Sequence, residues 1–359
     1  MNALPPGSTI GIIGGGQLGR MLAIAAARLG YKTVILEPEP DCPAAQAANR
    51  QIAAAYADAA ALDELAGLAD VVTYEFENVP VDATGRLAGQ VPVFPPPRAL
   101  DVSQDRLTEK RFLNGCGIST ARFHPVDNDG DIRAALEAFG GNGVLKTRRL
   151  GYDGKGQRVF RAASPAAADG VYAAMGGVPL IMEEFVPFTR EVSVIAARGQ
   201  DGALAAFDAA ENVHRDGILR HSTVPARAGA AITGEARKAA FQLLEALDYV
   251  GVIGVEFFVT EDGRLLANEF APRVHNSGHW TEAACTISQF EQHIRAVAGL
   301  PLGSPQRHSD CVMENLIGDD VEKVAALLEE PNLLLHLYGK KEVRLGRKMG
   351  HFTRIAPRG

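Results

Sequence analysis

The stretch 252–270, VIGVEFFVTEDGRLLANEF, decides the fold of the second half of the chain. Its two apolar runs flank the dipeptide Asp262-Gly263, which is a strong signal for a two-residue β-hairpin turn. Counting outward from such a turn places Glu256 directly opposite Glu269 on the paired strand. The stretch therefore predicts an antiparallel hairpin with two carboxylates on one face of the sheet.

Two carboxylates in this position repel each other, because directly opposed residues have Cβ atoms roughly 5 Å apart. A divalent cation reverses the sign of that interaction, and Mg²⁺ prefers carboxylate oxygens. Asn268 adjoins Glu269, but strand alternation turns its side chain away unless a β-bulge intervenes. The alternative is a solvated hairpin face with two exposed glutamates. The apolar flanks and the sequence NEFAPR at 268–273 favour the metal site.

Lys146 ends another apolar run, 143–147, and a glycine-rich segment follows it. Gly151, Gly154 and Gly156 allow backbone amides to approach a phosphate, and the neighbouring cations add charge-assisted donors. The segment is not a Walker A loop, because the GxxxxGK[ST] spacing is absent. By itself it is equally compatible with a simple hairpin turn.

The run 181–186, IMEEFV, is a candidate nucleotide contact. An extended segment presents backbone amides and carbonyls that can bind an adenine edge, and Glu191, a few residues later, can accept hydrogen bonds from ribose hydroxyls. A buried strand with Glu191 on its solvated side explains the same residues. Both interpretations stay open from this run alone.

The first hundred residues alternate between strand and helix patterns. This alternation predicts a doubly wound parallel sheet. The prolines at 92 and 95–97 mark its boundary. Beyond them, a helix is expected at about 100–114 and strands at 143–147 and 157–160. The pattern of antiparallel sheet is clearest at 203–225, and a small group of strands with a helix near 321–329 follows Pro301. The predicted elements of the first hundred residues are strands at 9–13, 33–36 and 71–76 and helices at 17–29 and 59–66.

The glycines Gly14, Gly16 and Gly19 raise an alternative function. They fit the GxGxxG pattern of a dinucleotide-binding unit, in which Glu37 would hold the adenosine ribose of a nicotinamide cofactor. The pattern alone is weak, because any anion can bind at a helix N-terminus. An NAD-dependent oxidoreductase also leaves Lys146 and the carboxylate hairpin without a role.

Composition narrows the function classes. The chain has 359 residues, of which 47% are hydrophobic and 22% charged, with a formal net charge of -7. These values are typical of a globular protein and do not favour a nucleic-acid binder. The four cysteines form no metal-binding spacing. The N-terminal segment has no basic region and no run of eighteen apolar residues occurs, so we expect a cytoplasmic protein without membrane insertion.

Four features, taken in chain order, resemble the ATP-grasp superfamily. They are the lysine strand at 143–147, the glycine-rich flap at 151–156, the hinge strand at 181–186, and Glu256 with the pair Asn268-Glu269. Within this superfamily, five segments resemble the carboxyaminoimidazole ribonucleotide synthetases of purine biosynthesis, over about residues 8–353. The last two are the most specific, because ATP-grasp proteins in general need not share them. The segments are GGGQLGRM at 14–21, YEFENV at 74–79, GYDGKGQ at 151–157, APRVHNSGHW at 271–280, and YGK at 338–340 through RKMGH at 347–351.

The resemblance implies an α/β and α+β architecture. A Rossmann-like domain spans 1–100, an ATP-grasp small lobe 101–186, a large lobe with the metal-binding hairpin 187–300, and a C-terminal substrate-binding cap 301–359. It also implies a homodimer. Its departures from the family pattern are Leu337, where an aromatic residue is common, and Val274, where proline is frequent; neither removes a charge.

The implied reaction is carboxylation of aminoimidazole ribonucleotide by ATP and bicarbonate, through carboxyphosphate. A ligase acting on another amine, and a nucleotide sensor without activity, are the alternatives within the superfamily. The implied metal ligands are Glu256 and Glu269, for Mg²⁺. The implied ATP contacts are Arg106, Lys146, Gly151, Gly154, Lys155, Gly156, Gln157, Glu183, Glu184, Phe185, Val186, Glu191, His214 and Asn268.

The other implied roles concern the ribonucleotide and bicarbonate. Lys348 is expected, together with Mg²⁺ and Lys146, to stabilise charge on the transferred phosphoryl group. The implied ribonucleotide-binding residues are Gly16, Gln17, Leu18, Glu75, Lys340, Arg347 and Lys348, and the implied catalytic residues are Tyr152 and Asp153 at the amine and Arg273, His275 and Asn276 at the bicarbonate end.

Overall fold

The structure is a computed structural model that describes residues 3–151 and 156–359. The predictions made for Tyr152, Asp153, Gly154 and Lys155 lie outside the described residues. In the described parts of the chain, no helix has the length and apolar character needed to cross a bilayer.

The N-terminal region is the predicted parallel sheet, with strand order β3-β2-β1-β4. The central strand β1 pairs with β2 on one side and β4 on the other. Its predicted elements are confirmed, whereas β3 and α3 were not predicted. The elements are β1 (Thr9–Ile13), α1 (Gln17–Arg28), β2 (Lys32–Leu36), β3 (Arg50–Ile52), α2 (Ala59–Leu68), β4 (Val71–Tyr74) and α3 (Val81–Ala88).

The helix expected over about residues 100–114 is instead two helices, α4 (Pro97–Ser103) and α5 (Arg106–Gly115). Asp105 lies between them in an extended conformation, and its carboxylate accepts hydrogen bonds from the amides of Leu107 and Thr108. An N-cap of this kind starts a new helix, because it satisfies amides that have no partner within the helix. The prediction of one continuous helix was wrong for this reason.

A small antiparallel sheet with the order β5-β8-β6-β7 follows. The predicted strands at 143–147 and 157–160 are confirmed as β6 and β7. Lys146 lies near the end of β6, opposite Ile181 of β8. The elements are β5 (Phe123–Val126), α6 (Asp129–Ala138), β6 (Gly143–Thr147), β7 (Gln157–Phe160), α7 (Val171–Ala174) and β8 (Leu180–Glu184).

A large antiparallel sheet forms the rest of the molecule, in the order β14-β13-β9-β11-β12-β15-β17-β16, with β10 on β9. Helix α8 packs on one face, and α10 joins α1 of the N-terminal region on the other. The elements are β9 (Phe188–Arg198), β10 (Leu204–Ala206), β11 (Ala210–Arg215), β12 (Ile218–Val224), α8 (Gly229–Ala246), β13 (Gly251–Thr260), β14 (Leu265–Ala271), α9 (Thr281–Ala284), α10 (Gln289–Val297), β15 (Ser309–Ile317), α11 (Val324–Leu327), β16 (Leu333–Leu337) and β17 (Lys348–Pro357).

The strands after Pro301 extend this large sheet, because β15 pairs with β12. The helix expected near 321–329 is divided between the end of a 3-10 segment, Gly318–Lys323, and the short helix α11 that follows it.

The hairpin of β13 and β14 has a different turn from the one predicted. Val259 pairs with Leu265, so the connection is one residue longer, and Gly263 adopts a positive φ of 78°. A β-bulge then shifts the register back by one residue, because Phe257 pairs with Ala267 while Glu256 pairs with Glu269. The two differences cancel. The predicted opposition of Glu256 and Glu269 is confirmed, although the predicted two-residue turn is wrong.

Candidate active site

A cleft of about 720 Å³ lies where the small sheet, the large sheet and the N-terminal region meet. Its wall contains most of the described residues for which the sequence predicts a role. Those residues are Gln17, Leu18, Glu75, Arg106, Lys146, Gly151, Gln157, Glu183, Glu184, Phe185, Val186, Glu191, His214, Glu256, Asn268, Glu269, Arg273, His275, Asn276 and Lys348.

Glu256 and Glu269 face each other across the hairpin, and their environments separate their pKa values. Burial and the charge of Glu269 raise the pKa of Glu256 to about 7. Burial also disfavours the charged form of Glu269, but Arg106 outweighs it and lowers the pKa of Glu269 to about 2. Arg106 donates from Nη1 to Glu269 Oε2 at 2.8 Å. The negative charge of Glu269 is therefore compensated by Arg106, whereas an ionised Glu256 would be stabilised by a further positive charge.

Lys146 donates to Glu183 Oε2 at 3.1 Å. A second lysine, Lys110 of α5, lies 3.3 Å from the same oxygen. Burial by itself would raise the pKa of Glu183, but the two lysines lower it to about 2. Two ammonium groups share one carboxylate, so this wall of the cleft carries an excess of positive charge suited to an anion.

The hinge segment borders an apolar part of the cleft. Phe188 and Phe258 stack with ring centroids 4.6 Å apart, and Val159 lies on the same lining. Beyond them, Glu191 Oε2 and His214 Nδ1 are 2.9 Å apart. An apolar slot that ends in a carboxylate matches the shape and polarity of a nucleoside, whose base is flat and whose ribose carries hydroxyl donors.

Arg273 and His275 lie at the other end of the cleft. Arg273 Nε donates to Glu77 of the N-terminal region, and its Nη1 donates to Val274 O at 3.0 Å. Burial and the charge of Arg273 lower the pKa of His275 to about 3. His275 is therefore neutral near pH 7, and the 3.7 Å between its Nε2 and Glu256 Oε1 is not an ion pair.

Several polar atoms on the cleft wall have no partner within the described part of the chain. They are Asn268 Oδ1, Glu183 Oε1, and both Oδ1 and Nδ2 of Asn276. Buried polar atoms are almost always hydrogen-bonded, so their presence in one cleft indicates a polar ligand.

The glycine loop at the start of α1 is occupied by the protein's own carboxylates. Glu75 accepts hydrogen bonds from the amides of Gly16 at 2.6 Å and Gly19 at 2.7 Å. Glu37 accepts from the amide of Gly15 at 2.8 Å and from Tyr56. Because Glu37 is held there, it does not act as the ribose-binding acid that the dinucleotide interpretation requires.

Four described residues with predicted roles lie outside the cleft lining. The amide of Gly16 is bound to Glu75, and Gly156 packs in a tight turn against Thr147 with a positive φ of 70°. Lys340 Nζ donates to Lys348 O at 2.7 Å, and Arg347 Nη1 donates to Glu342 O at 3.0 Å.

Sequence reasoning missed two side chains that organise the cleft, Glu77 and Lys110. Glu77 lies within the quoted YEFENV segment, so the motif contained the signal. Lys110 follows Arg106 by one helical turn, which puts both on one face of α5. The spacing alone assigns no role to Lys110, because its partners, Glu183 on β8 and Asn268 on β14, are distant in the chain.

Comparison with known proteins agrees with this geometry. Family models match the ribonucleotide synthetase preATP-grasp domain at residues 8–104, the ATP-grasp domain at 111–290, and the phosphoribosylaminoimidazole carboxylase C-terminal domain at 311–358. An N5-carboxyaminoimidazole ribonucleotide synthase of Brucella melitensis is 67% identical over 99% of this chain and 98% of its own.

Solved structures are similar over nearly the whole chain. An N5-carboxyaminoimidazole ribonucleotide synthetase in complex with ADP has a TM-score of 0.95 and 42% identity, covering 99% of this chain and 94% of the other. The Aspergillus clavatus N5-carboxyaminoimidazole synthase, in complex with ADP and 5-aminoimidazole ribonucleotide, has a TM-score of 0.91 and 32% identity, covering 98% and 94%.

The fold and the cleft define an ATP-grasp enzyme, which is an ATP-dependent ligase. The N-terminal and C-terminal matches narrow this class further. The chain belongs to the N5-carboxyaminoimidazole ribonucleotide synthase family.

Proposed function

We infer that the protein catalyses the ATP-dependent carboxylation of 5-aminoimidazole ribonucleotide to N5-carboxyaminoimidazole ribonucleotide in purine biosynthesis. The observation that carries this inference is the meeting of three groups in one cleft. These are the opposed acids of the hairpin, the two-lysine wall at Glu183, and the cluster of Arg273, His275 and Asn276.

ATP is proposed to lie along the cleft from the apolar slot to the hairpin. The hinge of Glu183, Glu184, Phe185 and Val186 borders the adenine, and Glu191, beside His214, accepts the ribose hydroxyls. Lys146, Arg106 and Asn268 lie toward the phosphates, with Gln157 and Gly151 on the side of the flap. Its residues Gly154 and Lys155 lie outside the described part of the chain.

Mg²⁺ is proposed to be held by Glu256 and Glu269. The donor set fits, because both ligands are hard oxygens and Glu256 lacks a positively charged partner of its own at hydrogen-bond distance in the described part of the chain. When bound, the ion supplies positive charge to the transferred phosphoryl group. The protein's part is to keep the two carboxylates on one face of the sheet.

Bicarbonate is proposed to lie beside Arg273, His275 and Asn276. The guanidinium supplies charge for the anion. The side-chain amide of Asn276, which has no partner among the described residues, supplies both a donor and an acceptor. A neutral His275 can accept or donate one hydrogen bond there without adding charge.

The ribonucleotide is proposed to enter between the N-terminal region and the segment 338–348. Gln17, Leu18, Glu75 and Lys348 line this end of the cleft. The amide of Gly16 is occupied, so Gly16 acts by holding Glu75 in place. Lys340 and Arg347 lie beyond the lining, where they can meet a phosphate that extends out of the cleft.

The proposed chemistry has two steps. A bicarbonate oxygen attacks the γ-phosphorus of ATP and ADP leaves, which forms carboxyphosphate. The exocyclic amine of the ribonucleotide then attacks the carboxyl carbon, phosphate leaves, and the amine nitrogen loses a proton. The mixed anhydride hydrolyses readily, so the site must exclude water. Tyr152 and Asp153 are proposed to meet the amine, with Asp153 as general base.

The test is the stoichiometry of ADP release. We expect release to require both bicarbonate and 5-aminoimidazole ribonucleotide, with one ADP per carboxylated product. A steady rate with a different amine would assign the cleft to another ATP-grasp ligase. Thermal stabilisation by NAD, and not by Mg-ATP, would contradict the ligase function altogether.

We further propose a cytoplasmic homodimer, as the family resemblance implies. Light scattering tests the homodimer, for which we expect about twice the monomer mass of 38.1 kDa.

A further inference from the structure

Helix α5 contacts consecutive residues of β14 through ionisable side chains. Lys110 Nζ donates to the backbone carbonyl of Asn268 at 2.7 Å. Glu109 Oε1 accepts from the amide of Phe270 at 2.7 Å. Between these two backbone contacts lies Glu269, whose side chain is held by Arg106 of the same helix.

These contacts fall on the β-bulge of the hairpin. Asn268 is the extra residue, because its neighbours on either side pair with consecutive residues of β13. An extra residue disrupts the ladder locally and leaves backbone groups without a strand partner. Strand β14 is also the edge of the large sheet. The carbonyl of Asn268 and the amide of Phe270 are therefore paired with α5.

The bulge decides which side chain faces Glu256. A shift of one residue in a strand turns each side chain to the opposite face. Without the bulge, the pairing that starts at the turn would continue, and Asn268 would stand opposite Glu256 in place of Glu269. The metal-binding pair therefore depends on the bulge.

Lys110 also connects the bulge to the two-lysine wall at Glu183. Its Nζ lies 3.3 Å from Glu183 Oε2, the oxygen that accepts from Lys146. Lys110 is 1% exposed and Glu183 is 3% exposed. At such burial an ammonium group is stable only with anionic or carbonyl partners, so its position is strongly constrained.

We propose that Glu109 and Lys110 form a clamp that positions the metal-binding carboxylate. The clamp holds the bulge of β14 with Glu269 opposite Glu256, and through Glu183 it sets the distance between that pair and Lys146. Both are positioning residues. The proposal rests on the function proposed above, because it assigns the Mg²⁺ dependence to this hairpin.

The test compares Lys110→Met with Arg111→Met, which removes an equal charge from the exposed face of the same helix. For Lys110→Met we expect kcat to fall about 100-fold, since a displacement near 1 Å can have that effect. The Mg²⁺ concentration for half-maximal rate should rise, while the KM for the ribonucleotide stays unchanged. Arg111→Met should change none of these values. A change confined to the melting temperature, or an equal rise in the KM of ATP and in that of the ribonucleotide, would overturn the proposal.

Glu109 provides a second pair of variants, which also serves if Lys110→Met does not fold. Glu109→Gln keeps an acceptor for the amide of Phe270, whereas Glu109→Leu removes it. Only Glu109→Leu should raise the Mg²⁺ requirement, and equal behaviour of the two would count against the clamp.

Glu269→Gln, measured in parallel, separates the two hypotheses. If it leaves the Mg²⁺ dependence unchanged, the metal assignment itself fails. If it removes that dependence while both Lys110→Met and Glu109→Leu preserve it, the clamp alone is wrong.

Discussion

Two clusters of the molecule place a glutamate among titratable neighbours, with opposite results. In the hairpin, Glu256 faces Glu269, and its pKa is raised to about 7 by burial and by that charge. In the C-terminal region, Glu282 of α9 meets His336 of β16 at 3.1 Å and His351 of β17 at 3.5 Å. There burial is outweighed by the two imidazoles, which lower the pKa of Glu282 to about 2.

The difference is whether the charge of the glutamate is balanced by neighbouring groups of the protein. Glu282 joins α9 to two adjacent strands, and Tyr338 bonds the second ring nitrogen of His351 at 3.0 Å. The rings of His336 and His351 lie 16° from parallel. His336 Nδ1 binds Glu282 at 3.1 Å, and His351 lies between Glu282 and Tyr338, so both imidazoles have partners within the cluster. The charge of Glu282 is balanced within this cluster, whereas Glu256 has a raised pKa beside Glu269, as expected for the proposed metal ligand.

The largest effect that tests this comparison is expected for Glu256→Gln. Turnover should fall by at least about 10²–10³-fold, the range found when a group that stabilises transition-state charge is removed. The melting temperature without ligand should stay equal or rise, because the repulsion with Glu269 is relieved. Stabilisation by Mg-ATP should be lost in thermal-shift measurements. Turnover close to that of the unmodified protein would remove the metal site.

The opposite pattern is expected for Glu282→Ala. Loss of the carboxylate that holds His336 and His351 should lower the free energy of unfolding by about 2 kcal/mol in denaturant titrations. The kcat/KM values should stay close to those of the unmodified protein. Glu322→Ala, at an exposed position, is the matched control and should change neither quantity. A loss of activity without a loss of stability would give this cluster a role in the reaction.

The smallest effect is a pair of opposite pH dependences. The pKa of Glu256 is raised from 4.5, so its stabilising contribution is present below pH 4.5 and is lost as pH rises through about 7. The pKa of Glu282 is lowered, so its contribution is present above pH 4.5 and is lost as pH falls toward 2. Denaturant titrations of Glu256→Gln and Glu282→Gln, each subtracted from the unmodified protein, should therefore slope in opposite directions; parallel slopes would contradict the comparison.

The hairpin shows which structural features a local sequence pattern can predict and which it cannot. The sequence predicted that Glu256 faces Glu269, and this is confirmed, but the assumed turn was one residue too short. The bulge at Asn268 restored the register. Local signals predicted the strands and the like-charged pair, yet the bulge is held by α5, about 160 residues earlier in the chain. No local pattern contains that information.

The sequence by itself determined three of the four strands and two of the three helices of the N-terminal region, the position of Lys146, and the motifs that mark the family. These features depend on residues close together in the chain, where periodicity and turn preferences act. The tertiary structure alone decided which polar groups meet. Lys110 meets Glu183, Arg273 meets Glu77, and Glu75 meets the backbone amides of the glycine loop. The physical reason is that a charge acquires its pKa and its role from groups within a few ångströms, and folding brings those groups together from distant parts of the chain.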